Sequence, residues 1–290
     1  MERTGSSDQE TIVEAGDISP VTSTSRPHGR GVAARLPARV TEAFELLPGH
    51  LETGVLVLCD HASNRIPPEY GNLGLPPGEL ARHIAWDIGA AGVARRLAER
   101  LKAPAILSRF SRLLVDPNRG LDDPTLVMRL SDGAVIPGNA HIDNREKARR
   151  VVRFWQPYDA AIRSAIDAFL ATGVQPVLVS VHSFTPTWRG VPRPWHAAVL
   201  HDPRDPDFSR AVLDALSCEP HLVIGDNEPY RGGLPGDTLD RHGLARGLPH
   251  VLVELRQDLV ADAAGQAEWA ERLARALQKA MTRLSLPKRS

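Results

Sequence analysis

VLVLCDHASNRIP, Val55–Pro67, carries an apolar run long enough for one buried strand. The run ends in Cys59, Asp60 and His61 and breaks into a polar turn closed by Pro67. An open parallel sheet presents its chemistry at the carboxyl ends of its strands, where polar side chains reach a crevice without disturbing the core. Asp60, His61 and Asn64 occupy that place, and the pattern predicts an α/β protein.

Working outward, the same pattern returns in PVLVSVHSFTP, where a strand over Pro176–Val181 delivers His182 as the first delivers His61. Two apolar strands that each end in a histidine point to a metal site assembled from separate strands. A third strand, HVLVEL over His250–Leu255, breaks its apolar run at Glu254. Alternation puts Val251 and Val253 on one face and Leu252 with Glu254 on the other, so Glu254 is a candidate proton-transfer base over the crevice. The alternative is a salt bridge to Arg256 or to the arginines of RFSRLLVDPNRG (Arg109–Gly120). In that segment Arg112, Asn118 and Arg119 form a candidate anion-binding patch, because guanidinium forks pair with carboxylates. His242 in TLDRHGLARG and Arg256 are further candidates for substrate binding.

Between these strands the chain reads as helices. Spacing predicts a helix over Glu79–Leu101 that contains Asp87 near its apolar side, either paired with an arginine or serving a metal. A long helix over Asn144–Thr172 is capped by Asn144 and bent at Pro157, and a closing amphipathic helix covers Ala263–Leu284. The Gly/Pro-containing stretch from Leu121 to Asp143 has the length of a lid or binding loop. GDNEPYRGG (Gly225–Gly233) supplies a second polar loop.

The chain has 290 residues, 42% of them hydrophobic, enough for one large core. Residues 1–35 are rich in Ser, Thr, Gly, Pro and charge and read as a flexible tail, leaving 36–290 as one domain. Thirty-five basic residues balance thirty-five acidic ones, which gives no global pull toward nucleic acid or an anionic membrane. Two distant cysteines make no disulfide framework, and no apolar run approaches the roughly 20 residues of a membrane span. The expectation is a soluble cytoplasmic protein. There is no G-x-S-x-G elbow, and a thiol inside a strand such as Cys59 is usually inert.

DHASNRIP, the Asp of AWDIGA, SRLLVDPNR, VHSF, GDNEPY and GLPHVLVELRQDL occur in an order that resembles the N-formylglutamate amidohydrolase family. That family is similar to zinc carboxypeptidases and aspartoacylase-type deacylases. The resemblance implies a three-layer α/β/α sandwich of the phosphorylase/hydrolase-like kind, with a mostly parallel mixed sheet. It also implies one zinc ion and hydrolysis of the C–N amide bond of an N-acyl amino acid, N-formylglutamate among them. His61 and His182 match the family's histidine ligands. Where the carboxypeptidase pattern has a glutamate ligand three residues after the first histidine, this chain has Asn64, so the carboxylate has to come from elsewhere; Asp87 is preferred over Asp60. Asn118 and Arg119 resemble the pair that holds the substrate carboxylate, and Glu254 resembles the general base. The alternatives are a peptide or cell-wall amidase and a non-catalytic carboxylate-binding protein on the same fold.

Overall fold

The computed structural model describes residues 34–286, so the expected tail falls, but for its last two residues, outside the described part. Eight strands form the main sheet: β1 (Arg39–Val40), β2 (Phe44–Leu47), β3 (Val55–Cys59), β4 (Ala105–Ser108), β5 (Val177–Phe184), β6 (Ala197–Leu200), β7 (Ile224–Asp226) and β8 (His250–Arg256). Their spatial order is β7-β6-β8-β5-β3-β4-β2-β1. The middle four, β8-β5-β3-β4, are mutually parallel; β6 runs antiparallel to β8, and β2 antiparallel to β4. The expected mostly parallel mixed sheet is therefore present.

Strand alternation divides the core in two. Val55, Val57 and Cys59 of β3, with Val177, Val179 and Val181 of β5, face the helices Ala90–Leu101, Asp207–Ser217 and Ala263–Arg283. Leu56 and Leu58, with Leu178, face the opposite way, toward Phe154, Tyr158, Ile162, Ile166 and Phe169 of the long helical segment. Helices thus cover both faces, and the middle strands are buried on both sides, which is why they read as continuous apolar runs rather than alternating ones.

Three local expectations change. The predicted helix over Glu79–Leu101 is a single turn, Pro77–Leu80, and a separate helix that starts at Ala90. Gly89 holds φ +82° between them, and a Cβ there would lie 2.3 Å from the Val260 carbonyl oxygen. Asp87 therefore lies in a turn ahead of the helix. The long helix is capped by Asp143, whose side chain accepts from the Glu146 amide, rather than by Asn144. It loosens into a π turn over Val151–Trp155 just before Pro157, the residue that can donate no backbone hydrogen bond. The third is the Leu121–Asp143 stretch: it folds on itself as a small ribbon, Leu130–Ser131 with Ala134–Val135, and a helical turn at Pro137–Ala140.

Candidate active site

Alternation also aims the polar groups. Asp60 continues the β3 face of Leu56 and Leu58, and Ser180 and His182 continue the β5 face of Leu178, so all three arrive on one side of the sheet at its carboxyl end. His61 follows in the turn. Asp87 is carried there by its amide, which donates to the His61 carbonyl at 2.9 Å.

His61, Asp87 and His182 are buried, and one potential ligand atom from each lies within 4.8 Å of the others. The Nδ1 atoms of His61 and His182 approach the same oxygen, Asp87 Oδ2, at 3.3 and 2.8 Å. The far nitrogens are engaged elsewhere: His61 Nε2 lies 2.7 Å from Asp116 Oδ1, and His182 Nε2 lies 3.1 Å from Asp60 Oδ2. A carboxylate that accepts from Nε2–H fixes the tautomer and leaves the Nδ1 lone pair for a metal. Asp60 takes further hydrogen bonds from Ser180 Oγ (2.9 Å), Tyr158 OH (3.0 Å) and Thr238 Oγ1 (2.7 Å), so its acceptor capacity is filled. Asp116 is held by Arg112 Nη2 at 2.8 Å and by the Asn118 amide at 2.9 Å.

The electrostatics follow these contacts. Burial opposes ionisation of Asp60, but the hydrogen bond and charge of His182, the charge of His61 and the Thr238 hydroxyl outweigh it and hold the carboxyl down at about 2. Burial likewise opposes ionisation of Asp116 and is outweighed by Arg112 and His61, which hold that group well below the carboxylate range. His182 is pushed well up against its burial by Asp60 and Asp87. Glu254 goes the other way: burial, with Asp87 adding to it against the pull of His182 and His61, pushes it up to about 7. It pairs in register with His182 across β8 and β5, and its Oε2 is buried without a hydrogen-bond partner. Among the described residues Glu254 makes no salt bridge: Arg256 turns to Asp258 at 2.8 Å, Arg112 pairs with Asp116 at 2.8 Å and Arg119 is nearest Asp123 at 4.0 Å.

These groups open on a cavity of about 230 Å³ lined also by Arg112, Asn118, Arg119, Tyr230, Arg231, Asp237 and the apolar Phe184, Leu200 and Leu252. Arg112, Asn118, Arg119 and Glu254 are thus brought to one chamber. Two expected substrate contacts are not. His242 Nε2 lies 2.7 Å from Asp159 Oδ1 outside the chamber, because its short helix Thr238–His242 packs it toward the long helix. Arg256 lies beyond the chamber as well, held by Asp258 and by the Arg193 and Trp195 carbonyls. Asn64 donates to the Leu80 carbonyl at 2.8 Å and contributes nothing to the chamber wall. The Leu121–Asp143 stretch does not line it either; the wall comes from the segment after β7. Cys59 is fully buried, and burial followed by the nearby Asp87 and Asp60 pushes its thiol well up, away from nucleophilic use.

The sequence model of one protein family, described as N-formylglutamate amidohydrolase, matches residues 53–261. The chain belongs to the N-formylglutamate amidohydrolase family. Among solved structures, a gene product of Agrobacterium tumefaciens is 34% identical, with a TM-score of 0.79 over 84% of this chain and 97% of that one. An N-formylglutamate amidohydrolase from Ralstonia eutropha, 19% identical, shares the fold at a TM-score of 0.61 over 83% of this chain and 98% of that one. No protein with a curated description matches. In this member of the N-formylglutamate amidohydrolase family, no helix among the described residues is long and apolar enough to cross a membrane.

Proposed function

We propose that the chain is a metal-dependent amidohydrolase that cleaves the C–N amide bond of an N-acyl amino acid, with N-formylglutamate as the first substrate to try. The observation that carries this reading is the convergence of His61 Nδ1, His182 Nδ1 and Asp87 Oδ2 in one chamber with an unpaired glutamate. Two imidazole nitrogens and one carboxylate, each imidazole already oriented by a carboxylate behind it, form a donor set that suits zinc. A zinc ion there supplies Lewis-acid activation of water and of the scissile carbonyl.

Glu254 takes the proton of the attacking water and returns it to the departing amine. Its position beside His182 in the strand register supports that role. Arg119 and Asn118 hold the substrate carboxylate, and Arg112, whose Nε lacks a partner, faces charge developing on the carbonyl oxygen.

The test is a screen of N-acyl amino acids, with and without an N-formyl group, on purified protein loaded with zinc and after chelation. The reading expects hydrolysis that chelation abolishes and zinc restores, and a stoichiometric zinc that His61→Ala and His182→Ala lose. Protein that binds carboxylates but neither holds metal nor turns over any substrate would instead be the non-catalytic binder.

A further inference from the structure

GLPHVLVELRQDL carries a residue that the site described above leaves without a task. Gln257 follows directly on β8 and opens the turn Gln257–Leu259, a short way beyond Glu254. It is buried, and it lines the chamber.

Its side-chain amide is held one way round. Nε2 lies 3.3 Å from Ser183 Oγ and 3.4 Å from the Ser183 carbonyl oxygen. The Ser183 hydroxyl already donates to the Ile88 carbonyl at 2.7 Å, so both Ser183 oxygens meet Gln257 as acceptors. Turning the amide over would set Oε1 against a carbonyl oxygen, acceptor to acceptor. The network therefore makes Nε2 the bound end and Oε1 the free one. Among the described residues no donor reaches Oε1, and the atom is open rather than sealed in the core.

Ser183 also fixes where that free acceptor stands. It follows His182, its amide donates to Asp87 Oδ2 at 3.4 Å, and it pairs in register with Leu255, next to Glu254. The anchor of Gln257 thus touches the carboxylate of the histidine cluster, and its acceptor belongs to the wall that also carries Glu254. Asn118 has the opposite polarity. Its Oδ1 accepts from the Thr238 amide, so its free end is a donor.

We propose that Gln257 Oε1 accepts the N–H of the scissile amide, so that the site favours a secondary amide over the matching ester; this rests on the amidohydrolase reading above. The bond to be cut has one C=O and one N–H. That reading gives the carbonyl oxygen to Arg112 and leaves the N–H in need of an acceptor, and in a buried chamber an unmade hydrogen bond is costly. Glu254 gives its proton to the nitrogen lone pair and is not free to accept from the N–H at the same moment. Holding the N–H also fixes the direction in which that lone pair opens as the C–N bond breaks.

The experiment compares N-formyl-L-glutamate with its ester analogue, 2-(formyloxy)glutarate of the same configuration, in which oxygen replaces the N–H. Zinc-loaded wild type and Gln257→Met are assayed on both, with spontaneous hydrolysis subtracted. What is read is the amide-to-ester ratio of kcat/KM within one preparation, so a smaller folded or zinc-bearing fraction in the variant cancels. The ratio is expected to fall about 3- to 10-fold in Gln257→Met, the contribution of one neutral hydrogen bond, because the ester has no such bond to lose. Should Gln257→Met be inactive on both compounds, Gln257→Asn, which draws the acceptor back by one methylene, is read by the same ratio with the same expectation. An unchanged ratio means that Gln257 only ties β8 to β5, and it overturns the assignment while the amidohydrolase reading stands. A wild type that leaves the amide uncut fails that reading, and the assignment with it.

Discussion

Glu254 is the residue whose surroundings are hardest to explain without chemistry. A buried carboxylate oxygen with no hydrogen-bond partner costs stability, and packing does not require it. Glu254→Gln is expected to keep the zinc and the fold while hydrolysis falls by roughly 100- to 10,000-fold, the range for removing a general base. Zinc content and steady-state rates measured on the same preparation check it; activity near the wild-type level would sink the role. Asp60 acts at one remove. Asp60→Asn disturbs the tautomer of His182 and is expected to weaken zinc binding by about 10- to 100-fold, read by competition with a chromophoric chelator. His61, His182 and Glu254 were legible in the sequence because each interrupts an apolar run near a strand end, where a polar side chain needs a reason. The parts played by Asp60 and Asp116 as partners of the imidazoles were not legible, since nothing in the local sequence states which ring a carboxylate will meet. His242 and Arg256 looked equally polar and equally close to the motifs, and their partners are Asp159 and Asp258.

Asp159, on the helix Gln156–Ala171, joins that element to its neighbours. Its Oδ1 accepts from His242 Nε2 at 2.7 Å and Arg241 Nε at 3.0 Å, and its Oδ2 from Arg163 Nη2 at 2.6 Å. Burial opposes the charge, but these partners outweigh it and hold the group well below the usual carboxylate range. A carboxylate depressed in the folded state contributes stability that is full above its unfolded pKa of about 4 and lost as pH falls through the folded value. Asp159→Asn is expected to cost about 1–3 kcal/mol at pH 7, and the difference from wild type should shrink on acidification below about pH 4. Urea melts at pH 7 and pH 3 decide this; a constant difference at both would refute it. Gly89 makes the matching case for a turn. With φ +82° and no room for a Cβ, Gly89→Ala is expected to lower stability by about 2 kcal/mol or more and to displace Asp87 two residues away, so thermal melting and zinc affinity should fall together. The sequence showed helical periodicity on both sides of Asp87 but not the break, because Gly89 alone does not distinguish a tolerated helix glycine from a left-handed turn. The π turn before Pro157 was hidden in the same way, inside a periodicity that it shifts without erasing.

Across the molecule, the α/β layering and the carboxyl-end location of the chamber were readable, since continuous apolar strands alternating with amphipathic helices leave few other arrangements, whereas the single large core expected is two, one on each face of the sheet. The order β7-β6-β8-β5 was not, because β8 arrives from the end of the chain to lie between β6 and β5. That insertion brings residues far apart in sequence together, and it makes the chamber dependent on the completed fold. Zinc that binds the native chamber and not the unfolded chain should therefore raise the melting temperature, by an amount equivalent to about 2.7 kcal/mol at a hundredfold excess over Kd. His182→Ala should melt at the same temperature with and without zinc, as scanning calorimetry can read.

The register of Glu254 with His182 has a consequence for how such a protein can change. Adjacent strands lie about 4.8 Å apart whatever their side chains, so the reach from Glu254 to the His182 imidazole is set by the backbone ladder, deep in the sheet. Phe184, Leu200 and Leu252 line the chamber from the strands themselves, whereas Asn118, Arg119 and the lining residues between Tyr230 and Asp237 cross outside that ladder. Altering that outer wall can retune what the chamber admits while the spacing of Glu254 from His182 stays fixed, so under the proposed function selectivity and reactivity can drift independently within one chain.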